Sequence, residues 1–283
     1  VVSIFVNPAQ FAPTEDLSSY PRTLSSDIES LTTLQSLNGG VSAIFAPTVS
    51  EMYPSPNGQP FTQHVKDQVG AFVQVQGLQD KMEGSSRPTF FRGVTTICTK
   101  LFHIVEPHFA YFGQKDIQQA VILRRLVSDL LFSYPPSAEA VRVIKTTRDQ
   151  NDGLALSSRN AYLTEQCRNH AAILYKSLCS AKEVWDNGMK ESEAISGDLI
   201  RATLLAANQT AQEAVRAARK DDVSIEVLYI SLNDPVTLQD LSRHPEATMN
   251  NRGAILSAAA LIKQGREGQV TRLIDNFLLG FAM

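Results

Sequence analysis

The sequence predicts an α/β first half, a parallel sheet with covering helices, followed by a smaller α+β part. Three observations predict it. Short apolar runs end at proline, asparagine or glycine. Up to residue 147 they alternate with segments of helical periodicity. Beyond that point the pattern changes to two long helices and three strand-like runs. Strands separated by helices form parallel sheets, because the crossover brings the chain back in the same direction.

The elements follow in order. Val1–Val6 reads as a buried strand ending at Asn7-Pro8. Ser25–Leu37 reads as a helix, with Ile28, Leu31 and Leu34 on one side and serines available as caps. Val41–Ala46 is the next strand, stopped by Pro47. Residues 54–60 form a turn-rich loop, and 84–93 a second one holding Arg87 and Arg92. Val94, Ile97, Cys98, Leu101, Phe102 and Val105 repeat at i, i+3, i+4, i+7, i+8 and i+11, the signature of a helix, which Pro107 ends. Phe109–Phe112 is a strand that stops at Gly113, a helix runs from Ile117 to Leu131, and Val141–Thr147 is another strand. The boundary falls near Thr147, with Arg148–Asp152 as a polar hinge, giving domains 1–147 and 148–283. In the second, Thr164 caps a long helix from Glu165 to Asp186, closed by Gly188, and another helix follows from Glu193 to Ala218. Val223–Ser231, Ala254–Ile262 and Val270–Ile274 read as strands of a short antiparallel sheet.

Composition narrows the function. The 283 residues suffice for two domains, and a hydrophobic fraction of 43% suits a globular protein. A net charge of −3 argues against a nucleic-acid binder with a broad basic surface. The longest apolar run, Ala254–Ile262, falls well short of the ~20 residues of a membrane span. Val1–Val6 lacks a basic leader and does not read as a signal peptide, so a cytoplasmic protein is expected. Cys98, Cys167 and Cys179 are odd in number and sparse, which suggests a reducing compartment. Cys98 falls on the apolar helical stripe and reads as a core residue. No histidine pair has the i, i+4 spacing of a zinc helix.

Asp152-Gly153-Leu154-Ala155-Leu156-Ser157-Ser158-Arg159-Asn160 is the most telling segment. Two hydroxyls and a guanidinium beyond a glycine form a donor cluster suited to an oxygen-rich anion such as phosphate. Gly113-Gln114-Lys115-Asp116 stands at a strand end, where ligands of open sheets bind. There Gly113 permits close approach and Lys115 brings positive charge to a helix N-terminus, while Asp116 can accept from ribose hydroxyls. Gln10 also follows a strand directly and can hydrogen-bond a small polar substrate. One of Gln118 and Gln119 could turn toward the strand ends. Asp27 and Glu29 offer carboxylate oxygens suited to Mg²⁺. Each has a plain alternative when taken singly: a turn glutamine facing water, a capping Asp116 beside a solvated Lys115, or a solvated acidic helix face. The chain has no Walker-type loop, no Gly-x-Gly-x-x-Gly and no Gly-x-Ser-x-Gly, so Ser157 and Ser158 read as donors rather than nucleophiles. Positive charge with neutral donors suits charge stabilisation at phosphorus.

The motifs fall into one order: Val-Ser-Ile-Phe-Val-Asn-Pro-Ala-Gln-Phe (2–11), Tyr-Pro-Arg-Thr-Leu (20–24), Phe-Arg-Gly-Val (91–94), Phe-Gly-Gln-Lys-Asp-Ile-Gln-Gln (112–119) and Asp-Gly-Leu-Ala-Leu-Ser-Ser-Arg-Asn (152–160). This order closely resembles the pantothenate synthetases, the pantoate–β-alanine ligases. The likeness is dense to about residue 163, thins, and returns at Thr271-Arg272-Leu273-Ile274-Asp275-Asn276. The resemblance implies a Rossmann-like nucleotide-binding domain followed by a smaller lid domain, usually as a homodimer. It also implies two steps, in which ATP adenylates pantoate and β-alanine then displaces AMP. On that likeness Gln10 and Gln119 hold pantoate, and Lys115, Ser157, Ser158 and Arg159 bind phosphate. Gly113 and Asp116 contact ribose, Thr147 meets adenine through its backbone, and Asp27 is one acidic ligand of Mg²⁺.

Departures from the family pattern set further expectations. The family's His-x-Gly-His motif, which follows a first strand, is absent, and the sequence opens within a family strand. It therefore reads as N-terminally truncated, and this chain alone is expected to bind ATP poorly and to fold marginally. Phe90 stands where many members have histidine, Ser26 stands beside Asp27 where the metal ligand's partner is often acidic, and the hinge 148–152 is one residue longer than usual. A non-catalytic relative that binds a small acid or a protein partner is the alternative from a different class. Retention of Gln10, Lys115, Gln119 and Ser157–Arg159 weighs against it. The paired glutamines weigh against a nucleotidyltransferase for another acid.

Overall fold

A computed structural model describes residues 1–34, 39–55, 58–192, 194–244 and 253–283. The chain forms two compact units, Val1–Ala110 with Ile122–Val141, and Tyr111–Val121 with Arg142–Met283.

The opening run supplies β1 (Val2–Ser3), which pairs with β2 (Ile44–Phe45) in the expected parallel sense, Val2 opposite Ile44. Both strands are shorter than their apolar runs, although the Ile4 N–H still donates to the Phe45 carbonyl at 2.9 Å. Contrary to the expected buried strand, Val1 is exposed and Val2, Ile4, Phe5 and Val6 are only half-buried, because among the described residues β1 pairs with β2 alone. Between the strands lies α1 (Leu24–Thr33), where Ile28 and Leu34 are exposed and Leu31 is half-buried. The expected extension of this helix to residues 35–37 falls outside the described residues, as does part of the 54–60 loop. Then come α2 (Val49–Met52), closed by a Thr48–Glu51 capping box, and the short α3 (Glu83–Ser86).

The predicted stripe forms α4 (Phe90–Val105), which buries Val94, Ile97, Cys98 and Phe102. Burial pushes the Cys98 thiol up to about 12, so it stays protonated and serves as packing. Glu106, with φ 47°, ends the helix just before Pro107. After it come β3 (Ala110–Gly113), α5 (Ile117–Asp129) and β4 (Val141–Ile144), with β3 and β4 paired. Ile122, Leu123 and Leu126 are buried on α5.

The second unit corrects one sequence expectation. Thr164 does cap a helix, accepting from the Cys167 N–H at 3.2 Å, but that helix, α6 (Glu165–His170), is short. The chain breaks at Ala171-Ala172 and resumes as α7 (Ile173–Glu191), which passes straight through Gly188. A Cβ on Gly188 would lie 2.4 Å from Leu199 Cδ1, at the start of α8 (Gly197–Ala218). That glycine admits a neighbouring helix instead of ending its own. Two alanines carry no periodicity signal, so the break left no mark in the pattern. Residue 193, the expected start of α8, lies outside the described residues, and Ser196 caps the helix through Leu199 N–H at 3.1 Å.

Three strands complete this unit: β5 (Val223–Asn233), β6 (Ala254–Gln264) and β7 (Thr271–Leu279), antiparallel in that order, as expected. The central β6 is buried along most of its length, which explains its unbroken run of small apolar residues. Trp185, Leu178, Ile200, Leu232 and Leu256 form the core between α7, α8 and the sheet.

Candidate functional site

In the first unit the chain leaves β1 and enters a one-turn 3₁₀ helix, Pro8–Gln10. Asn7 organises this turn, and nothing in the sequence beyond its strand-end position marked it. It is 4% exposed, and every hydrogen-bonding position of its amide is used. Its Oδ1 accepts from Tyr53 Oη at 2.7 Å and from the Ala9 N–H at 3.3 Å. Its Nδ2 donates to the Gly93 carbonyl and to Gln10 Oε1, each at 3.1 Å. The Ala9 N–H can only donate and the Gly93 carbonyl can only accept, which fixes the orientation of the amide. Gln10 therefore receives a bond on its oxygen, leaving its NH₂ group as the donor face. Burial pushes the Tyr53 phenol well above its usual value, so it remains a donor; the nearby Cys98 adds to the rise and the bond to Asn7 opposes it.

The Phe-Arg-Gly-Val motif explains itself here. A Cβ on Gly93 would lie 2.4 Å from the Ala9 carbonyl carbon and oxygen, so only glycine lets α4 touch this turn. Backbone cannot yield as a side-chain tip does. Gly93→Ala is expected to destabilise the protein by about 1–3 kcal/mol, read as a lower urea midpoint with unchanged slope. Arg87 braces the same turn, pairing with Glu15 at 2.6 Å and reaching the Gln10 carbonyl at 3.4 Å. Asp27, in the first turn of α1, accepts from Thr23 Oγ1 on both oxygens, at 3.2 and 3.1 Å. No group of three or more metal-binding side chains occurs among the described residues.

The second unit holds Gly113, Lys115, Asp116, Gln119, Thr147 and Ser157–Arg159. Gln114–Asp116 make a 3₁₀ turn that leads directly into α5, so Lys115 stands at a helix N-terminus as expected. Its ammonium lies 3.1 Å from Asp116 Oδ2. Gln118 is buried at 3% exposure, while Gln119 is half-buried. Asn276 on β7 reaches this turn. Its Nδ2 donates to the Gln114 carbonyl at 2.8 Å and the Lys115 carbonyl at 2.9 Å, and its Oδ1 accepts from Gln114 Nε2 at 3.3 Å.

The expected hinge is a closed hairpin. Arg148 bridges Ala155 antiparallel, the Leu156 N–H donates to the Thr147 carbonyl at 2.9 Å, and Gly153 turns the chain with φ 79°. Arg148 grips Asp275 with two bonds of 2.6 and 2.8 Å, donates to the Gly153 carbonyl at 3.1 Å, and lies 4.6 Å from the Tyr175 ring centroid and 5.3 Å from that of Phe277. Burial alone would lower its pKa, but the bonds and charge of Asp275 outweigh burial and the net shift is upward. Leading on from the hairpin, Ser157 caps the 3₁₀ turn Ser158–Tyr162 by accepting from the Arg159 N–H at 3.3 Å. Thr146 Oγ1, one residue before the hairpin, is buried without a partner among the described residues.

Arg168 closes the hairpin from α6, pairing with Asp152 and, at 2.7 Å, with Asp149. Asp149 is held below its usual range by the Asn151 N–H and then by Arg168; Asp152 is held down chiefly by Arg168. A carboxylate with a depressed folded pKa stabilises the fold above its unfolded pKa, and loses that contribution as pH falls through the folded one. Stability is therefore expected to drop from about pH 4 downward. Arg168→Met should flatten that part of a Tm-versus-pH curve, and an unchanged slope would show that the clamp does not contribute.

These features define an α/β protein with a glutamine-bearing turn after one strand, a lysine turn after another, and a serine–arginine turn fixed by a hairpin. Comparison with known proteins makes the class specific. Residues 1–278 match the model of the pantoate-beta-alanine ligase family, and the chain belongs to that family. It is 40% identical over 280 residues to the pantoate–beta-alanine ligase of Saccharomyces cerevisiae, covering 99% of this chain and 82% of that one. It is 37% identical over 279 residues to the pantothenate synthetase of Herpetosiphon aurantiacus, covering 99% and 83%. The crystal structure of pantothenate synthetase from Thermus thermophilus superposes with a TM-score of 0.72 at 36% identity, over 97% of this chain and 81% of that one. A pantoate-beta-alanine ligase from Francisella tularensis, complexed with β-γ ATP and β-alanine, gives 0.59 at 26% identity, over 98% and 78%.

Proposed function

We propose that the protein condenses pantoate with β-alanine at the expense of ATP, through a pantoyl adenylate. The observation that carries this reading is the presence in one unit of Lys115 at the N-terminus of α5 and the capped Ser157–Arg159 turn, both at family motif positions. The Francisella relative, complexed with β-γ ATP and β-alanine, supports it.

In the first step a pantoate carboxylate oxygen attacks the α-phosphorus. The bond from that phosphorus to the bridging oxygen breaks, and pyrophosphate leaves. In the second step the β-alanine amine attacks the acyl carbon, the acyl–oxygen bond breaks, AMP leaves, and the amine loses a proton. Gln10 and Gln119 hold pantoate; the free NH₂ face of Gln10 matches a carboxylate or hydroxyl acceptor. Lys115, Ser157, Ser158 and Arg159 take the phosphates, adding charge and donors where negative charge develops. Gly113 and Asp116 take the ribose. Adenine is received by the Thr147 backbone, whose carbonyl accepts from the Leu156 N–H and keeps a second lone pair, and the Thr146 hydroxyl, without a partner among the described residues, adds a polar atom nearby.

Asp27 does not belong to a metal cage, but a Mg²⁺ ion carried on ATP keeps most of its waters and needs only one or two carboxylates. Asp27 fits that limited role, and the ion, when bound, would neutralise phosphate charge. A homodimer in the cytoplasm completes the reading. Three free cysteines suit a reducing compartment. The test is AMP release from the full-length protein supplied with pantoate, ATP and β-alanine; no pantoate-dependent AMP would refute the assignment.

A further inference from the structure

We propose that Asn276, on β7, is a positioning residue for Lys115, holding the lysine turn in the place where it meets phosphate. The proposal rests on the assignment of Lys115 made above. Asn276 is 1% exposed, and a buried amide is costly unless its donors and acceptor are all used. Among the described residues, all of its side-chain bonds run to one short turn 161 and 162 residues earlier in the chain. One nitrogen donates to two consecutive carbonyls, those of Gln114 and Lys115, while the oxygen takes the Gln114 amide. The carbonyl oxygens only accept, so the group facing them has to donate, which an amide does and a carboxylate does not. Two bonds to consecutive peptide groups fix the plane of the backbone from which the Lys115 side chain departs.

The neighbouring residue strengthens the case. Asp275 holds Arg148, which in turn holds the Gly153 carbonyl and so the hairpin that leads to Ser157. Asp275 Oδ1 also accepts from the Asn276 N–H at 2.8 Å. Consecutive residues of one strand thus tether both turns assigned to phosphate. This accounts for a motif that composition and periodicity left without a role.

The test uses the full-length protein and pantoate-dependent ATP–pyrophosphate exchange, which reads adenylate formation alone. Asn276→Asp keeps the shape but sets a carboxylate against two carbonyls. It is expected to lower kcat at least about tenfold while KM for pantoate stays within about twofold, because the glutamines that hold pantoate are untouched. A double variant with Lys115→Ala should be no more than about twofold slower than Lys115→Ala alone, since a residue acting through Lys115 has nothing left to position. Wild-type exchange by Asn276→Asp, or fully multiplicative losses in the double variant, would overturn the proposal. Should Asn276→Asp show no cooperative unfolding transition, Asn276→Ser, which is smaller and cannot span both carbonyls, carries the same comparison. Lys115→Ala at the wild-type rate would remove the lysine assignment and this proposal together. Lys115→Ala slow with Asn276→Asp and Asn276→Ser fast would remove this proposal alone.

Discussion

Lys115→Ala is expected to slow adenylate formation by about 10²–10³-fold, the usual cost of removing one preorganised donor aimed at developing charge. The loss should appear in kcat for pantoate-dependent pyrophosphate exchange. The fold should barely notice. The ammonium pairs with Asp116 at 3.1 Å with both side chains partly exposed, and such a pair contributes at most about 1 kcal/mol. A Tm within a few degrees of wild type, together with the fall in rate, would separate chemistry from folding. Lys115→Arg keeps the charge but moves it outward on a planar fork, so its rate should lie between the two. Unchanged turnover in Lys115→Ala would show that the phosphate role is misassigned.

Why this lysine could be found in the sequence, and Asn276 could not be given a role, comes down to the range of the interactions. The 3₁₀ turn at Gln114–Asp116 follows from a glycine-ended strand and the start of an apolar helix, both local signals. The same holds for Thr164 as a cap and for the α4 stripe, where spacing reports directly on burial. Asn7, Gly93 and Tyr53 come together over separations of 86 and 46 residues. Their sequence neighbourhoods contain nothing that demands such a meeting. Gly188 shows the limit from the other side. Glycine at the expected end of a helix reads as a terminator, and only the approach of Leu199 reveals that it makes room for a second helix. The polar segment 148–152 misled for a related reason. Its charges suggest solvent, yet Arg168 and Asp275, supplied from α6 and β7, neutralise it and lock it into a hairpin.

Asp275→Ala is expected to be the most destabilising of these substitutions, at up to about 3 kcal/mol, because it strands a half-buried guanidinium. Arg148 would keep its place near the Tyr175 and Phe277 rings, with the Gly153 carbonyl as a remaining acceptor but no carboxylate. The urea midpoint should fall sharply. Removing both charges tests what the pair is for. In Arg148→Met with Asp275→Leu no ion is left unpaired, and buried pairs replaced by apolar residues of similar volume often lose no stability. Much of the midpoint should then return. Activity should not, because Arg148 is also what fixes the Gly153 carbonyl and hence the path of the chain to Ser157, Ser158 and Arg159. A double variant restored in both stability and pyrophosphate exchange would mean that the ion pair serves the fold alone. One restored in stability but slow in exchange would place Arg148 and Asp275 among the residues that aim the serine–arginine turn at the nucleotide.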